Sequence, residues 1–313
     1  MNTVTFPGLG LEFDLNPVLL SINDNFGVHW YGAIIAVGFL LAVFWGCRQC
    51  NRFGLTQDNV FDILIATVPS AIVGARLYYV IFEFDSYLVP GDLGATLTKI
   101  IRIWDGGLAI YGGLIAALLA GYILCRVKKI SFLAATDLAS VGFLIGQSVG
   151  RWGNFVNVEA FGGVTDADWR MAGPDVANFL KRTGQVSGEV FEQIVDGTLG
   201  VHPTFFYESM WNLVGILLLA FVVKKIRSFD GQMFFSYMIW YGIGRFWIEG
   251  LRTDSLYIPG TELRVSQAIA LLSAVAGILL ILYYLLIKKP GPEALFVNKV
   301  VAKETQEDVD QNS

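Results

Sequence analysis

Long apolar runs, separated by short polar segments, follow one another along most of the chain. A helix needs about 20 mainly apolar residues to cross the hydrocarbon core of a bilayer. A scan with that length predicts seven membrane-spanning helices, at approximately 28–47, 60–82, 107–125, 132–150, 205–223, 232–250 and 265–287. The pattern therefore predicts an all-α polytopic membrane protein whose seven-helix transmembrane domain occupies residues 28–289.

Lysine and arginine residues collect on one side of the predicted spans. They follow spans one, three, five and seven, as Arg48 and Arg52, then Arg126, Lys128 and Lys129, then Lys224, Lys225 and Arg227, and finally Lys288 and Lys289. Lys and Arg resist translocation and accumulate in cytoplasmic loops. Residues 1–27 contain neither residue type and fall on the opposite side. We therefore predict an external N-terminal segment and a cytoplasmic C-terminus.

Two further segments lie outside the apolar runs. Residues 155–203, between predicted spans four and five, are rich in Gly and Asp, and we expect them to form a small external head. Residues 290–313 are polar and acidic. Such a composition buries little apolar surface and predicts a disordered cytoplasmic tail.

The composition excludes several classes of function. Charged residues make up 16% of the chain, against about 25% in a typical soluble domain. The basic residues form no stripe of the kind that nucleic-acid-binding proteins use, so we expect no nucleic-acid partner. His29 and His202 are the only imidazoles, and the Cys47-x-x-Cys50 pair stands outside any redox-fold pattern. We expect no metal site and no cofactor.

Polar residues in and beside the predicted spans are the candidate functional groups, because a charge inside a membrane is costly unless it is paired or hydrated. The densest cluster lies at the outer end of span four. If the helix continues there, Arg151, Asn154 and Asn157 share one face by their three-residue spacing. That face would present guanidinium and amide donors at head-group depth, although an arginine that extends to the interface from a helix end is the alternative reading.

In span six, Tyr241, Arg245 and Glu249 follow at intervals of four residues. Arg245 and Glu249 can form an ion pair within one helix. A planar guanidinium beside a tyrosine also suits an anionic phosphate, which arginine binds through two parallel hydrogen bonds. Both interpretations remain open at this point.

One segment carries a specific resemblance. Gly150-Arg151-x-Gly-Asn154-Phe155-x-Asn157-x-Glu159-x-x-Gly162 resembles the signature of the prolipoprotein diacylglyceryl transferase family. The resemblance extends over about residues 20–290, through His29-Trp30-Tyr31-Gly32, Asp105-Gly106-Gly107, His202-Pro203-Thr204 with Tyr207-Glu208, and Tyr241-Gly242 with Arg245, Glu249 and Arg252.

The resemblance implies a multi-pass enzyme of the bacterial plasma (inner) membrane with its active site open to the outer side. Such an enzyme transfers the diacylglyceryl group of phosphatidylglycerol to the lipobox cysteine in the signal peptide of a prolipoprotein. The products are a thioether and glycerol phosphate. The implied partners are therefore phosphatidylglycerol, prolipoprotein signal peptides and the lipid bilayer.

The chemistry requires stabilisation of negative charge on the departing phosphate, which positioned cations supply. Arg151 and Arg245 are the expected catalytic groups, with Asn154 and Tyr241 as supporting donors. By resemblance, Glu249 and Asp137 orient the arginines or balance their charge. The expected phosphatidylglycerol-binding residues are Arg151, Asn154, Tyr31, Glu159, Gly162 and Glu249, and the supporting residues are His29, Asp137, Asn157 and His202.

The group that activates the substrate thiol is left open by the sequence. A cysteine thiol has an unperturbed pKa near 8.5, so a base or a cationic field has to favour the thiolate. Family members commonly have histidine where this chain has Tyr111. Tyr111 is then a hydrogen-bonding substitute, or the arginine field acidifies the thiol, with His29 and His202 as fallback bases. A transporter or channel for an anionic substrate and a lipid-binding scaffold without turnover are the alternative functions.

Overall fold

The computed structural model describes residues 2–23, 26–253, 257–258, 260–261 and 264–312. Helices dominate these residues: α1 (Trp30–Gln49), α2 (Gln57–Phe82), α3 (Phe84–Tyr87), α4 (Leu93–Ile101), α5 (Ile110–Lys128), α6 (Phe132–Val156), α7 (Pro174–Arg182), α8 (Gly188–Val195), α9 (Thr204–Leu217), α10 (Gln232–Leu251), α11 (Val265–Leu282) and α12 (Phe296–Asn312). Short strands are β1 (Asn2–Phe6), β2 (Leu11–Leu15), β3 (Val18–Asn23), β4 (Phe26–His29), β5 (Val164–Thr165) and β6 (Gly200–Val201).

Short strands accompany the helices, which make up most of the described residues as predicted. They pair as three two-stranded antiparallel ladders, β1 with β2, β3 with β4, and β5 with β6. Two of these ladders lie in the N-terminal segment, where apolar and polar residues alternate in short stretches such as Thr3 to Phe6. Alternation with a period of two suits a half-buried strand and not a helix.

Within the described part of the chain, six helical segments are long and apolar enough to cross a membrane. They are Trp30–Phe53, Gln57–Phe82, Ile110–Lys128, Phe132–Val156, Thr204–Val223 and Val265–Lys288. The remaining predicted span corresponds to α10, which has 20 residues. Gln232, Arg245 and Glu249, together with several tyrosines and glycines, lower its mean hydropathy, so it does not belong to the set of six.

The chain folds as two compact units. The first comprises Met1–Gly46 and Asp137–Pro292, and the second comprises Cys47–Thr136 and Glu293–Ser313. In the first unit, α10 packs closely along α11, because glycines leave room for the neighbouring backbone. A Cβ atom on Gly242 would lie 2.6 Å from the Ala270 carbonyl oxygen, and one on Gly277 would lie 2.7 Å from that of Phe235.

The predicted head segment and the N-terminal segment share one hydrophobic core in the first unit. Thr5 and Ala172 exchange backbone hydrogen bonds of 2.9 and 2.8 Å, which join β1 to the loop before α7. Val4 and Phe6 of β1 are buried in a cluster with residues of α7, α8 and β6, namely Val176, Ala177, Leu180, Ile194 and Val201. The N-terminal hairpin is therefore an integral part of the head.

In the second unit, α2 and α5 pack against each other through glycines. A Cβ atom on Gly113 would lie 3.1 Å from the Ala71 carbonyl oxygen, so side chains at this position would separate the helices. Lys128 at the end of α5 pairs with Asp62 near the start of α2 at 2.7 Å. The two helices are thus antiparallel neighbours.

The C-terminal residues differ from the predicted disordered tail. Phe296–Asn312 forms α12, and its first turn contacts the turn that follows α1. A Cβ atom on Gly54 would lie 2.8 Å from Val297 Cα. The apolar residues at the start of this segment, Leu295 to Val297, give the helix a packed end that a purely polar tail would lack.

Candidate active site

A single carboxylate joins two arginines from different helices in the first unit. Glu208 of α9 accepts a hydrogen bond from Arg151 Nη2 of α6 at 2.5 Å through Oε1, and it pairs with Arg245 Nη1 of α10 at 3.2 Å through Oε2. The Glu208 side chain is only 3% exposed, whereas those of Arg151 and Arg245 are 18% and 17% exposed. The structure therefore brings together the two arginines that the sequence analysis expected to act together.

Arg245 has a second acidic partner. Its Nη2 lies 2.6 Å from Glu249 Oε2, one turn further along α10. The predicted ion pair within α10 is thus present. Two guanidinium groups and two carboxylates balance in charge, so the cluster tolerates burial that an isolated cation would not. The limited exposure of the guanidinium groups leaves part of each open to a ligand.

The helices that carry these groups are held to one another by polar contacts one turn away. Ser148 of α6 donates to the Ser209 carbonyl of α9, and Ser209 donates to the Ser148 carbonyl, both at 2.9 Å. On the other side of α9, the indoles of Trp211 and Trp240 each donate to the other residue's carbonyl, at 2.9 and 3.0 Å. Reciprocal bonds of this kind fix the register of α9 between α6 and α10.

Tyr241 also belongs to this cluster. It lies one turn before Arg245 on α10 and interacts electrostatically with Glu208, Arg245 and Arg151. Its ring stacks on that of Tyr237 with centroids 5.6 Å apart. Tyr241 therefore lies beside the charged groups of the cluster, and its role as a supporting donor stays a prediction.

The amides of the signature segment have a different arrangement from the predicted donor patch. Asn154 Nδ2 and Asn157 Nδ2 both donate to Glu159 Oε1, at 3.0 and 3.3 Å. α6 ends here, and Val158 and Ala160 on either side of Glu159 adopt positive φ angles of 52° and 58°. Both amides and Glu159 thus brace the irregular turn that follows Arg151.

Gly162 serves close backbone packing. Its N–H donates to the His202 carbonyl at 2.8 Å, and the N–H of Gly163 donates to that of Leu251 at 2.8 Å. A Cβ atom on Gly162 would lie 2.8 Å from His202 Cβ and 2.9 Å from the Leu251 oxygen. The signature glycine therefore ties the head to the end of α10, which carries Arg245.

His202 precedes α9 and lies in a small aromatic cluster. Its Nδ1 is 3.3 Å from the Tyr207 hydroxyl, which also accepts a hydrogen bond of 2.6 Å from the Trp169 indole. Partial burial lowers the pKa of the His202 imidazole below its ordinary value. The neutral form, which is able to accept a proton, therefore predominates at neutral pH.

Asp137 does not have the predicted role beside the arginines of the site. It is buried, accepts hydrogen bonds from the Gly231 and Phe234 N–H groups at 2.8 and 2.9 Å, and lies 3.5 Å from Arg227. The 14 residues between Asp137 and Arg151 correspond to about 21 Å along α6. Asp137 therefore stabilises the N-terminus of α10, where a carboxylate complements the helix dipole.

The other predicted residues lie in separate places. Tyr31 of α1 packs its ring against Gly153, where a Cβ atom would lie 2.8 Å from Tyr31 Cδ2. His29 is exposed at the end of β4, with Nδ1 3.3 Å from the Gly27 oxygen. Tyr111 lies in the first turn of α5, in the second unit, and is partly exposed.

A cleft between α1 and α6 adjoins the arginine cluster along the chain. Its volume is about 260 Å³, and most of its surface is apolar. Its lining residues are Trp30, Ala33, Ile34, Val37, Ser148, Val149 and Trp152. Two of these lining residues, Val149 and Trp152, lie within one turn of Arg151 along α6.

Glu208 was absent from the predicted site residues. The sequence contained a signal, because Glu208 stands in the Tyr207-Glu208 part of the resemblance and is the one charged residue of α9. Its partners are 57 and 37 residues away in the chain. Local spacing therefore gave no indication that one carboxylate would bridge both arginines.

Two kinds of comparison with known proteins give matches over most of the chain. The family model described as prolipoprotein diacylglyceryl transferase matches residues 17–283. The phosphatidylglycerol–prolipoprotein diacylglyceryl transferase of Lysinibacillus sphaericus (strain C3-41) is 41% identical over 286 residues, which cover 91% of this chain and 98% of that protein. Enzymes with the same name from Geobacillus kaustophilus and Listeria welshimeri are 40% and 42% identical, over 81% and 86% of this chain and 87% and 90% of those proteins. The chain belongs to the prolipoprotein diacylglyceryl transferase family.

Proposed function

We propose that this chain transfers the diacylglyceryl group of phosphatidylglycerol to the thiol of the lipobox cysteine of prolipoproteins. The observation that carries the proposal is the pair of arginines held by Glu208, in a chain that aligns over most of its length with enzymes named for this reaction. Family membership and the six apolar helices make it a multi-pass protein of the bacterial inner membrane.

The reaction is a displacement at carbon. The substrate thiol loses its proton, and the thiolate sulfur attacks the glyceryl carbon that is bonded to the phosphate. The carbon–oxygen bond breaks, its electron pair remains on the phosphate oxygen, and glycerol phosphate leaves with one further negative charge. Stabilising that charge is the main task of the site, because positioned donors in a partly dry environment interact strongly with charge that develops in the transition state.

Arg151 and Arg245 perform this task in the proposed mechanism. Glu208 pairs with Arg151 through one carboxylate oxygen and with Arg245 through the other, and Glu249 also pairs with Arg245. Both guanidinium groups are therefore oriented before the lipid binds. Their remaining N–H groups face the phosphate, and Tyr241 adds a hydroxyl donor. The turn and the backbone next to Arg151 are fixed by Asn154, Asn157, Glu159 and Gly162.

His202 is the base in this proposal. Its neutral imidazole lies beside Tyr207, and Tyr207 immediately precedes Glu208 in α9. A tyrosine side chain is a poorer general base at neutral pH than a histidine. By resemblance we assign Tyr111 a hydrogen-bonding role, and we assign His29, which is exposed at the end of β4, no part in proton transfer.

The proposed topology has seven spans, with α10 as the sixth. α10 is as long as a span and packs along α11 over most of its length, and its charged residues pair with one another or with α9. Lys and Arg follow α1, α5, α9 and α11, and this distribution supports a cytoplasmic position for these helix ends. The N-terminus, the head of residues 155–203 and the arginine cluster then lie on the outer side.

A transfer assay tests the proposal. The purified chain is reconstituted in vesicles that contain phosphatidylglycerol labelled in its diacylglyceryl part, and a lipobox peptide is added. We expect the peptide to gain the mass of one diacylglyceryl group on its cysteine, while a matched peptide with serine at that position gains none. Movement of an anion across the bilayer without any mass gain would favour a transporter instead, and lipid binding without turnover would favour a scaffold.

A further inference from the structure

The short helix α4, between the second and third predicted spans, exposes an apolar stripe. Leu93, Leu97 and Ile101 follow at intervals of four residues and are 74%, 51% and 68% exposed. Residues four apart lie on one face of a helix. Thr96, on the adjoining face, is buried, whereas Lys99 lies on the far side from the stripe and is exposed.

α4 is held firmly in spite of its length of nine residues. Isolated helices this short are marginal in water. At the start of α4, Asp92 Oδ1 accepts from the Ala95 N–H at 2.8 Å. At its end, the buried Arg76 of α2 donates to the carbonyls of Lys99, Ile100 and Arg102 at 2.8, 2.8 and 3.1 Å.

The same arginine also fixes the loop that follows. Arg76 Nη1 donates to the carbonyls of Gly106 and Gly107 at 2.5 and 2.9 Å, and its guanidinium lies 4.8 Å from the centre of the Tyr87 ring. All five acceptors are backbone oxygens of the α4 end and its loop. Arg76 is therefore a clamp that orients α4 and its exposed stripe with respect to α2.

The apolar stripe continues the surface of a membrane-spanning helix. α2 is one of the six apolar segments, and its last turns expose Leu77, Ile81 and Phe82. Trp104, 70% exposed, follows α4, and tryptophan favours the boundary between head groups and acyl chains. Lys99 supplies positive charge at the same end of α4, which attracts the phosphates of anionic lipids. Arg102, just beyond it, pairs with Asp105 at 2.9 Å.

We propose that α4 lies in the membrane interface, with Leu93, Leu97 and Ile101 inserted among the acyl chains and the orientation set by Arg76. The occupant of the stripe is the bilayer itself, at the surface opposite the Lys128–Asp62 pair. The proposal does not depend on the transfer reaction. Interfacial helices typically bury their apolar face about 5–10 Å into the boundary between head groups and acyl chains.

Depth measurements on the full chain in vesicles of phosphatidylglycerol and phosphatidylcholine test the proposal. In a background with Cys47→Ala, Cys50→Ala and Cys125→Ala, a polarity-sensitive fluorophore is attached through Leu97→Cys, or through Lys99→Cys on the opposite face as the control. We expect lipids with a quencher on the acyl chain to quench the probe at position 97 strongly and at a depth of about 5–10 Å. Aqueous iodide should quench the probe at position 99 preferentially.

Equal access of iodide to both positions would overturn the proposal. The clamp is tested in the same system with Arg76→Lys, which keeps the charge but cannot reach five carbonyls at once. We expect the difference in depth between positions 97 and 99 to shrink in this variant. An unchanged difference in depth would remove Arg76 from the proposal. If the variant does not fold, the comparison of the two probes in the parent background still decides whether α4 is inserted.

Discussion

Replacing Glu208 with glutamine removes the negative charge between two arginines and preserves the length of the side chain. Opposite charges about 4 Å apart interact with about 4 kcal/mol at an effective dielectric constant of about 20. Glu208 makes two such contacts, at 2.5 and 3.2 Å, and is almost fully buried. Its charge is therefore the largest single constraint on the orientation of Arg151.

Loss of one partner from a buried ion pair costs about 3–5 kcal/mol. Because both guanidinium groups keep some exposure and Arg245 retains Glu249, we expect Glu208→Gln to lower the free energy of unfolding by about 3 kcal/mol, the lower end of that range. Turnover should fall by about a hundredfold, which corresponds to the loss of one positioned donor. The loss of stability and the loss of turnover both come from displacement of the Arg151 side chain.

The assay measures kcat and KM for the transfer to a lipobox peptide in vesicles, together with thermal unfolding of the purified protein. Glu189→Gln, at an exposed position of α8, is the matched control and should change neither. A Glu208→Gln enzyme with unchanged kcat and a lower KM would refute the reasoning, because it would show that Glu208 competes with the phosphate for the arginines instead of positioning them.

Four further predictions concern the site. Arg151→Ala and Arg245→Ala should each reduce transfer by at least about a hundredfold, and near-normal turnover of either variant would exclude that arginine from the mechanism. Tyr111→Phe should reduce transfer less than either arginine change does, as measured in the same assay. Because burial lowers the pKa of His202, the transfer rate should stay constant down to a pH below the ordinary histidine pKa of about 6.5 and fall only under more acidic conditions. The His202→Gln variant should lack this decrease at acidic pH. An unaltered pH profile in the variant would mean that another group is the base. Gly162→Ala should destabilise the protein by about 1–3 kcal/mol, since the new methyl group overpacks the contact with His202 and Leu251, and an unchanged midpoint of thermal unfolding would contradict this.

The apolar pattern predicted most of the helices because their length is set by the bilayer and does not depend on tertiary contacts. α10 shows where the pattern becomes weak: Arg245 and Glu249 lower its mean hydropathy, and they are the groups that form the site. The residues to which we assign the function of this helix are thus the residues that make it a poor candidate span by composition. Its partners on α9 and α11 compensate for its polarity.

Ion pairs between residues of one helix were predictable from the sequence, whereas ion pairs between residues of different helices were not. The four-residue interval of Arg245 and Glu249 was visible in the sequence, and the structure has the ion pair. Asp137 was assigned to the arginines by resemblance, but its carboxylate caps α10 and lies near Arg227, because its position on α6 is too far from Arg151. The N-terminal hairpin and α12 were missed because each is stabilised by contacts with residues distant in the chain.

Because the Glu208 carboxylate pairs with two arginines, substitutions at positions 151, 208 and 245 depend on one another during evolution. A lineage that loses the positive charge at position 151 or 245 leaves a buried negative group without its counterpart, and one that loses Glu208 leaves two cations that repel each other. Substitutions at these positions are therefore tolerated only in combination. Alignments of relatives should show the trio either intact or replaced together, and this joint variation would mark loss or change of activity more reliably than any one of the three residues.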